Sequence, residues 1–157
     1  MRGLIHYTRR LFLESRIMPE ANLSNASQLV SSTERFVFVY GTLRRGDDND
    51  INRLVPPPVL MGSATVNGQL FHLGRYPGML LGGGTDVVGE VYAITPELER
   101  KLDEIEELYP QQTDEYFKRD ISVRVDGRTL ACIVYEINPA YVEDKPVIQS
   151  GDWVKDR

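Results

Sequence analysis

The stretch that decides the fold is Phe36-Val37-Phe38-Val39-Tyr40-Gly41-Thr42-Leu43-Arg44-Arg45-Gly46. Its first five residues are β-branched or aromatic with no polar residue among them, which is typical of a strand buried on both faces. Gly41 ends that strand and Gly46 closes the polar turn. A glycine at a strand exit permits a positive φ and a close approach to the main chain. The stretch therefore predicts a core strand followed by an anion-binding loop or by an ordinary turn.

Composition limits the classes of protein that this chain can belong to. Its 157 residues suffice for one domain, and a net charge of −5 argues against a nucleic-acid binder, which carries a basic excess. The single cysteine, Cys132, lies in an apolar run and is predicted to be a buried strand residue. No Cys/His spacing suits zinc, and no apolar run approaches the roughly 20 residues that span a bilayer. We expect no metal, no cofactor, no nucleic acid, no membrane and a cytoplasmic location.

Residues 1–35 differ from the rest of the chain. Residues 1–18 carry four arginines and one acid, and the arginines interrupt any apolar core of a secretory signal. Three interpretations of residues 1–18 are open: a short amphipathic helix, an organelle presequence, or a segment upstream of a true translation start at Met18. Residues 19–35 are rich in Ser, Asn and Glu, which favours a flexible lead-in. We predict a flexible extension over residues 1–35 and a domain over residues 36–157.

The rest of the chain carries a pattern of strands, hairpin turns and one helix. Asn67-Gly68 and Asp126-Gly127 are predicted hairpin turns, because these dipeptides adopt the positive φ angles that tight turns need. Five runs are predicted as further strands: Val59–Val66, Gln69–Leu73, Val87–Ile94, Phe117–Val125 and Arg128–Ile137. Six or so strands with one main helix predict an α+β domain whose sheet closes into a small mixed β-barrel. An open sheet backed by the helix is the alternative.

The helix is predicted from Pro96 to about Leu108, with Thr95 as its N-cap. Leu98, Leu102 and Ile105 form its apolar stripe, and six acids share the remaining surface. Glu106 stands out because it lies about 60° from the centre of the stripe. It also lies near the helix C-terminus, where the helix dipole disfavours a carboxylate. Partial burial there would raise its pKa, so Glu106 is the best candidate for a general base.

Tyr40-Gly41-Thr42-Leu43, followed by Arg45-Gly46, resembles the signature loop of the γ-glutamylcyclotransferase-like family. This family includes the plant avirulence-induced-gene proteins and the γ-glutamylamine cyclotransferases. The resemblance covers roughly residues 36–153. It continues through Asn67-Gly68-Gln69-Leu70, Gly74-Arg75-Tyr76-Pro77-Gly78, Gly89-Glu90-Val91-Tyr92 and Leu102-Asp103-Glu104-Ile105-Glu106, and Ser150-Gly151-Asp152-Trp153 resembles the ending of a bacterial subgroup.

The resemblance implies a small mixed barrel with a cavity between the signature loop and the helix. In the family, main-chain groups of the loop hold a γ-glutamyl group, which corresponds here to Tyr40, Gly41, Thr42 and Leu43. The implied acid/base is Glu106, the residue that the helical pattern selects independently. The implied reaction is an acyl transfer that cyclises a γ-glutamyl peptide or amine to 5-oxoproline and releases the amine. It requires a small-molecule substrate and no cofactor or metal.

The chain departs from the family pattern where the family often has Tyr-x-Arg in the strand after the helix. Phe117 occupies the position of this tyrosine. Either the tyrosine hydroxyl is lost here, or a local insertion lets Tyr116 take the place of the family's tyrosine. Tyr76 either lines the cavity or fixes a turn together with Pro77. Asn49 is predicted to be a turn-forming residue.

Two further alternatives are open at this stage. Arg44 and Arg45 either attract an anionic substrate or are solvated loop charges. A non-catalytic small-molecule binding or interaction domain on the same fold is the alternative function, since a fold does not by itself imply an activity.

Overall fold

The computed structural model describes residues 34–108 and 113–156. The prediction of a flexible extension therefore lies almost wholly outside the described residues. Single 3₁₀ turns occur at Ile51–Arg53 and Pro139–Tyr141. The main elements are β1 (Arg35–Val39), β2 (Val59–His72), β3 (Pro77–Leu81), β4 (Thr85–Ile94), α1 (Pro96–Ile105), β5 (Tyr116–Val125), β6 (Arg128–Ile137) and α2 (Trp153–Asp156). Within these ranges, neither helix is long and apolar enough to cross a membrane.

The six strands form one sheet in the order β3-β2-β4-β1-β6-β5. Neighbouring strands are antiparallel, except that β1 runs parallel to β6. The sheet curls on itself: the N–H of Leu81 in β3 donates to the Glu136 carboxylate of β6 at 2.9 Å. Likewise, Gly62 of β2 lies against Val125 of β5. The result is a curled half-barrel with one main helix, which confirms the predicted α+β fold.

Strand β1 is buried on both faces, as its unbroken apolar run predicts. Val37 and Val39 pack in a cluster that includes Leu98 and Leu102 of α1. Phe38 and its neighbour Tyr40 belong to a second cluster built from the other face of the sheet. Cys132 is buried in that second cluster, as predicted, and burial raises the pKa of its thiol to about 11.

The predicted hairpin at Asn67-Gly68 is wrong, because β2 continues through both residues. Gly68 pairs with Leu81 of β3 and also with Thr85 of β4. Asn67 instead closes the turn between β3 and β4: its carbonyl accepts from Gly82 N–H at 3.0 Å, and its side chain accepts from Gly84 N–H at 2.9 Å. Asn67 therefore stabilises the turn between β3 and β4 rather than forming a turn of its own.

The second predicted hairpin turn, Asp126-Gly127, is confirmed. It joins β5 to β6, and its two residues adopt φ angles of 48° and 76°. The sequence does not predict strand β3, because its first residues, Pro77 and Gly78, belong to a run with the composition of a turn. Pairing with β2 makes this run a strand.

Helix α1 begins as predicted but ends before Leu108. The Thr95 hydroxyl accepts from Leu98 N–H at 3.1 Å, which confirms Thr95 as the N-cap. At the other end, Glu107 adopts a left-handed φ of 59°. Its N–H donates to Glu104 O, and Leu108 N–H donates to Asp103 O at 2.7 Å. This is the Schellman motif, in which a left-handed residue stops the helix and satisfies its last carbonyls.

Candidate active site

A cavity of about 350 Å³ opens between the loop after β1, the end of α1, the turn before β3 and the start of β5. The structure places every residue predicted for the site in its lining: Tyr40, Gly41, Thr42, Leu43, Tyr76, Glu106 and Tyr116. These residues come from four separate parts of the chain. The curl of the sheet is what brings them together.

The loop after β1 has its carbonyl groups bonded internally and its amide groups left available. The carbonyls of Gly41, Thr42 and Leu43 accept from the N–H groups of Arg44, Asn49 and Ile51 at 3.0, 3.0 and 2.9 Å, respectively. The N–H groups of these same three lining residues find no acceptor in the described part of the chain. Buried amides are rarely left without a partner, so three consecutive free donors favour an anionic or carbonyl ligand.

Two residues of the loop have the structural roles that their types suggest. Gly46 adopts a φ of 85°, as expected for the glycine that closes the turn. Asn49 fixes Thr42 twice, because its main-chain N–H donates to Thr42 O and its side-chain amide donates to the Thr42 hydroxyl at 3.1 Å. Asn49 is thus a turn-forming residue, although it also lines the cavity.

Glu106 lies directly after the last helical residue, where the end of α1 directs the chain past the cavity. Desolvation, together with the negative charges of Glu115, Glu107 and Asp103, raises the pKa of its carboxyl from 4.5 to about 8. The Glu106 carboxylate forms no hydrogen bond or ion pair with any residue that the structure describes. A carboxyl that is free and titrates near neutral pH is well suited to receive and return a proton.

Four tyrosines among the described residues line the cavity, Tyr40, Tyr76, Tyr116 and Tyr135, and each hydroxyl is bonded to protein. The Tyr40 hydroxyl donates to Tyr135 O at 2.6 Å and accepts from Met79 N–H at 3.2 Å. Tyr116 donates to a carbonyl of β3 at 2.9 Å, and Tyr76 donates to a carboxylate at 2.5 Å. Burial raises the pKa of Tyr40 and of Tyr116 far above neutrality. These rings therefore shape the cavity as neutral groups.

The structure also decides between Tyr116 and Phe117. Tyr116 begins β5 and lines the cavity, whereas Phe117 is not in the lining. The Phe117 ring instead lies beneath the Arg119 guanidinium, 5.2 Å from its carbon to the ring centroid. Tyr116 is therefore the residue that presents a tyrosine to the cavity, although its position in the sequence is shifted by one.

Comparison with known proteins identifies the family to which this architecture belongs. The sequence profile of the family described as γ-glutamyl cyclotransferase, AIG2-like, matches residues 37–155. The chain belongs to this family. It is accordingly a γ-glutamylcyclotransferase-like enzyme, as the order of its motifs predicts.

Individual relatives and several solved structures agree with this assignment. The chain is 33% identical over 120 residues to the γ-L-glutamyl-butirosin B γ-glutamyl cyclotransferase of Niallia circulans, with 74% of each chain covered. It is 34% identical over 124 residues to the γ-glutamylcyclotransferase family protein YtfP of Escherichia coli K12, covering 75% of this chain and 95% of YtfP.

The solved structures show the same fold. An AIG2-like protein of Mus musculus superposes with a TM-score of 0.63 at 24% identity, over 79% of this chain and 90% of the mouse chain. The solution structure of YtfP from Escherichia coli gives a TM-score of 0.53 at 30% identity, over 78% and 99% of the two chains.

The two arginines of the loop after β1, Arg44 and Arg45, do not line the cavity. The Arg44 guanidinium pairs with the carboxylates of Glu90 and Asp152, both at 2.7 Å. Arg45 is exposed, and its main-chain N–H donates to Glu90 at 2.9 Å. Arg44 is therefore not a solvated charge. Its side chain connects the loop to the rest of the domain.

Arg75, Glu115 and Tyr135 also line the cavity, although the sequence did not predict them for the site. Arg75 is the one cationic side chain among the described lining residues, and Glu115 and Tyr135 contribute a carboxylate and a ring. Arg75 stands beside Tyr76 in a motif of the family, which is the one signal that pointed to it. Among the described residues, no group of three or more His, Cys, Asp or Glu side chains could hold a metal ion.

Proposed function

We propose that this enzyme cyclises a γ-glutamyl peptide or amine to 5-oxoproline and releases the amine, with Glu106 as the general acid/base. The loop Tyr40–Leu43 binds the γ-glutamyl group. The observation that carries the proposal is the presence, in one cavity, of three free main-chain donors and a carboxyl whose pKa is about 8. Donors that stabilise a developing oxyanion and a nearby base are the two elements that an acyl transfer needs.

The reaction balances without any further reactant. The α-nitrogen of the substrate attacks its own γ-carbonyl carbon, a new C–N bond closes the five-membered ring, and the bond to the leaving nitrogen breaks. Two protons leave the α-ammonium, and Glu106 passes them in turn to the leaving nitrogen, which departs as an ammonium group. Because nucleophile and electrophile belong to one molecule, positioning supplies much of the rate enhancement.

The donors of the loop have a separate task from that of Glu106. The N–H groups of Thr42 and Leu43 share peptide planes with the hydrogen-bonded carbonyls of Gly41 and Thr42, so they are held ready to donate to substrate oxygens without rearrangement. Donors that are fixed before the reaction stabilise the charge that develops on the γ-carbonyl oxygen. Tyr76 and Tyr116 enclose the substrate and exclude water from the reacting atoms.

The relatives support the reaction class. One of them is named as a γ-glutamyl cyclotransferase of γ-L-glutamyl-butirosin B. We propose the same cleavage of a γ-glutamyl amide here, on a free small-molecule substrate in the cytoplasm. Nothing in the proposed chemistry requires a cofactor.

The test is the release of 5-oxoproline from a panel of γ-glutamyl dipeptides and γ-glutamyl amines. Glu106→Gln should lower kcat/KM by at least about a hundredfold, because the amide cannot accept the proton. Glu104→Gln is the matched control, since it removes one carboxylate from the same helix but from outside the cavity. Circular dichroism checks that all three proteins are folded. Equal turnover by wild type and Glu106→Gln would refute the role of Glu106. No turnover by the folded wild type on any substrate would favour a binding domain.

A further inference from the structure

The segment of residues 146–156 lies along the sheet and reaches the loop after β1. Three backbone hydrogen bonds attach it to neighbouring strands: His72 N–H donates to Pro146 O at 2.9 Å, Ile148 N–H donates to Leu70 O at 2.7 Å, and Val88 N–H donates to Gly151 O at 2.8 Å. These bonds fix the segment on β2 and β4. Its next residues are thereby held against the back of the loop.

Two side chains of this segment hold two residues of the loop. The indole N–H of Trp153 donates to the Asp47 carboxylate at 2.7 Å, and both residues are buried. The Asp152 carboxylate accepts from the Arg44 guanidinium, also at 2.7 Å. Glu90 of β4 holds the same guanidinium from the other side at 2.7 Å. Charge-assisted hydrogen bonds of this length between largely buried groups are among the stronger polar contacts in proteins.

Arg44 and Asp47 belong to the same hydrogen-bonded turn as the free amides. Arg44 N–H donates to Gly41 O at 3.0 Å, and Asp47 N–H donates to Arg44 O at 3.1 Å. A displacement of either side chain therefore displaces the turn that orients the amides of Thr42 and Leu43. The cavity wall is held from behind by residues that do not themselves line the cavity.

We propose that Asp152 and Trp153 are positioning residues for substrate binding, which hold the Gly41–Leu43 amides in place through Arg44 and Asp47. This inference rests on the proposed function, in which those amides bind the γ-glutamyl group. Misplacement of a binding group by about 1 Å can lower a rate by about a hundredfold. A contact outside the cavity can thus control activity within it.

Two variants remove the contacts with little change of shape. Asp152→Asn keeps the size of the side chain and removes its charge. Trp153→Phe keeps an aromatic ring beside His72, whose centroid lies 5.1 Å from that of Trp153, and removes the N–H donor. Asp156→Asn is the matched control: it makes the same chemical change in the same segment, where the carboxylate accepts from the Ser150 hydroxyl and contacts no described loop residue.

The first readout is hydrogen exchange, without ligand, at the amides of Asn49 and Ile51, which are bonded to the loop carbonyls. Both variants should exchange these amides about tenfold faster than wild type, and KM should rise about tenfold with a smaller fall in kcat. Asp156→Asn should match wild type, and Asp152→Glu should recover most of the loss. An unchanged KM in both variants would overturn the proposal. An increase in hydrogen exchange spread evenly over the whole domain would not rescue it, because that would report general destabilisation rather than movement of the loop.

The two proposals fail separately in this design. If wild type releases no 5-oxoproline, the proposed function is refuted. Exchange at the loop amides is measured without substrate, so it reports on the loop whatever the enzyme turns over. If the amides of Asn49 and Ile51 exchange at wild-type rates in both Asp152→Asn and Trp153→Phe, the segment does not hold the loop.

Discussion

The ring of Pro77 lies directly against the main chain of Gly41. A methyl group on Gly41 would meet Pro77 Cγ at 2.8 Å and Cδ at 2.9 Å. Gly41 does not adopt a positive φ, so its lack of a side chain serves this close approach rather than a turn. Pro77 also accepts the Tyr116 hydroxyl on its carbonyl at 2.9 Å. The contact joins the loop after β1 to the opposite wall of the cavity.

Gly41→Ala should therefore impair both stability and activity. Forcing a methyl group into this contact should lower the free energy of unfolding by about 1–3 kcal/mol. It should also lower kcat/KM more than tenfold, because the loop donors move with the main chain. Gly127→Ala is the control: its φ of 76° makes alanine strained by about 1 kcal/mol, but the site lies in the β5–β6 turn. Denaturant unfolding and 5-oxoproline release separate the two effects. Full activity in Gly41→Ala would contradict the assigned contact.

The activity should depend on pH through Glu106. The base must be ionised to accept a proton, and burial raises the pKa of Glu106 to about 8. We therefore expect log kcat/KM to rise with pH up to about 8 and then to level off, before it falls as the substrate ammonium loses its proton. The measurement is a pH profile at low substrate concentration. A profile that is flat between pH 6 and 9 would be incompatible with Glu106 as the base.

Stability should change with pH in the opposite direction. In the folded state Glu106 keeps its proton up to about pH 8, whereas in the unfolded chain it loses the proton near 4.5. Between these values the unfolded state binds fewer protons, so the free energy of unfolding falls as pH rises. Glu106→Gln removes this loss and should be more stable than wild type above pH 8, with the gap closing towards pH 4.5. Urea unfolding at several pH values measures the gap, and a gap independent of pH would refute the raised pKa.

Glu107 offers a test of both strain and charge. It adopts a left-handed φ of 59°, a conformation that glycine adopts without strain. Glu107→Gly should raise the free energy of unfolding by about 1 kcal/mol. It should also shift the rising limb of the pH profile to lower pH, because the charge of Glu107 helps to raise the pKa of Glu106. Glu107→Ala, which removes the charge but keeps Cβ, should shift the profile without stabilising the protein. Equal stability of the glycine and alanine variants would argue against strain.

The parts of the fold that the sequence predicted are those determined by local chemistry. The buried strand β1, the N-cap Thr95 and the turn at Asp126-Gly127 each depend on a few adjacent residues. Asn67-Gly68 has the same turn-forming chemistry, but there the pairing of β2 with strands on both sides prevails. Local propensity cannot predict such pairing, because the competing hydrogen bonds come from distant residues.

The site divides in the same way. The place of Glu106 beside the apolar stripe of α1 was predictable from the sequence alone. It lies just past the last helical residue, because Glu107 takes a left-handed conformation that ends the helix. Whether Tyr116 or Phe117 faces the cavity depends on the register of β5. A shift of one residue turns every side chain of a strand to the opposite face of the sheet. Arg75 enters the cavity only because the sheet curls. The residues around Arg75 in the sequence do not predict that curvature.

The parallel pairing of β1 with β6 has a consequence for how the protein folds. Phe36 and Cys132, which face each other in this pair, are separated by most of the described sequence, whereas β5 and β6 are joined by a two-residue turn. Closing a long loop costs more entropy, so the hairpin can form well before the parallel pair. The pocket spans this junction. A refolding chain should therefore recover its circular dichroism signal before it recovers the ability to bind a ligand.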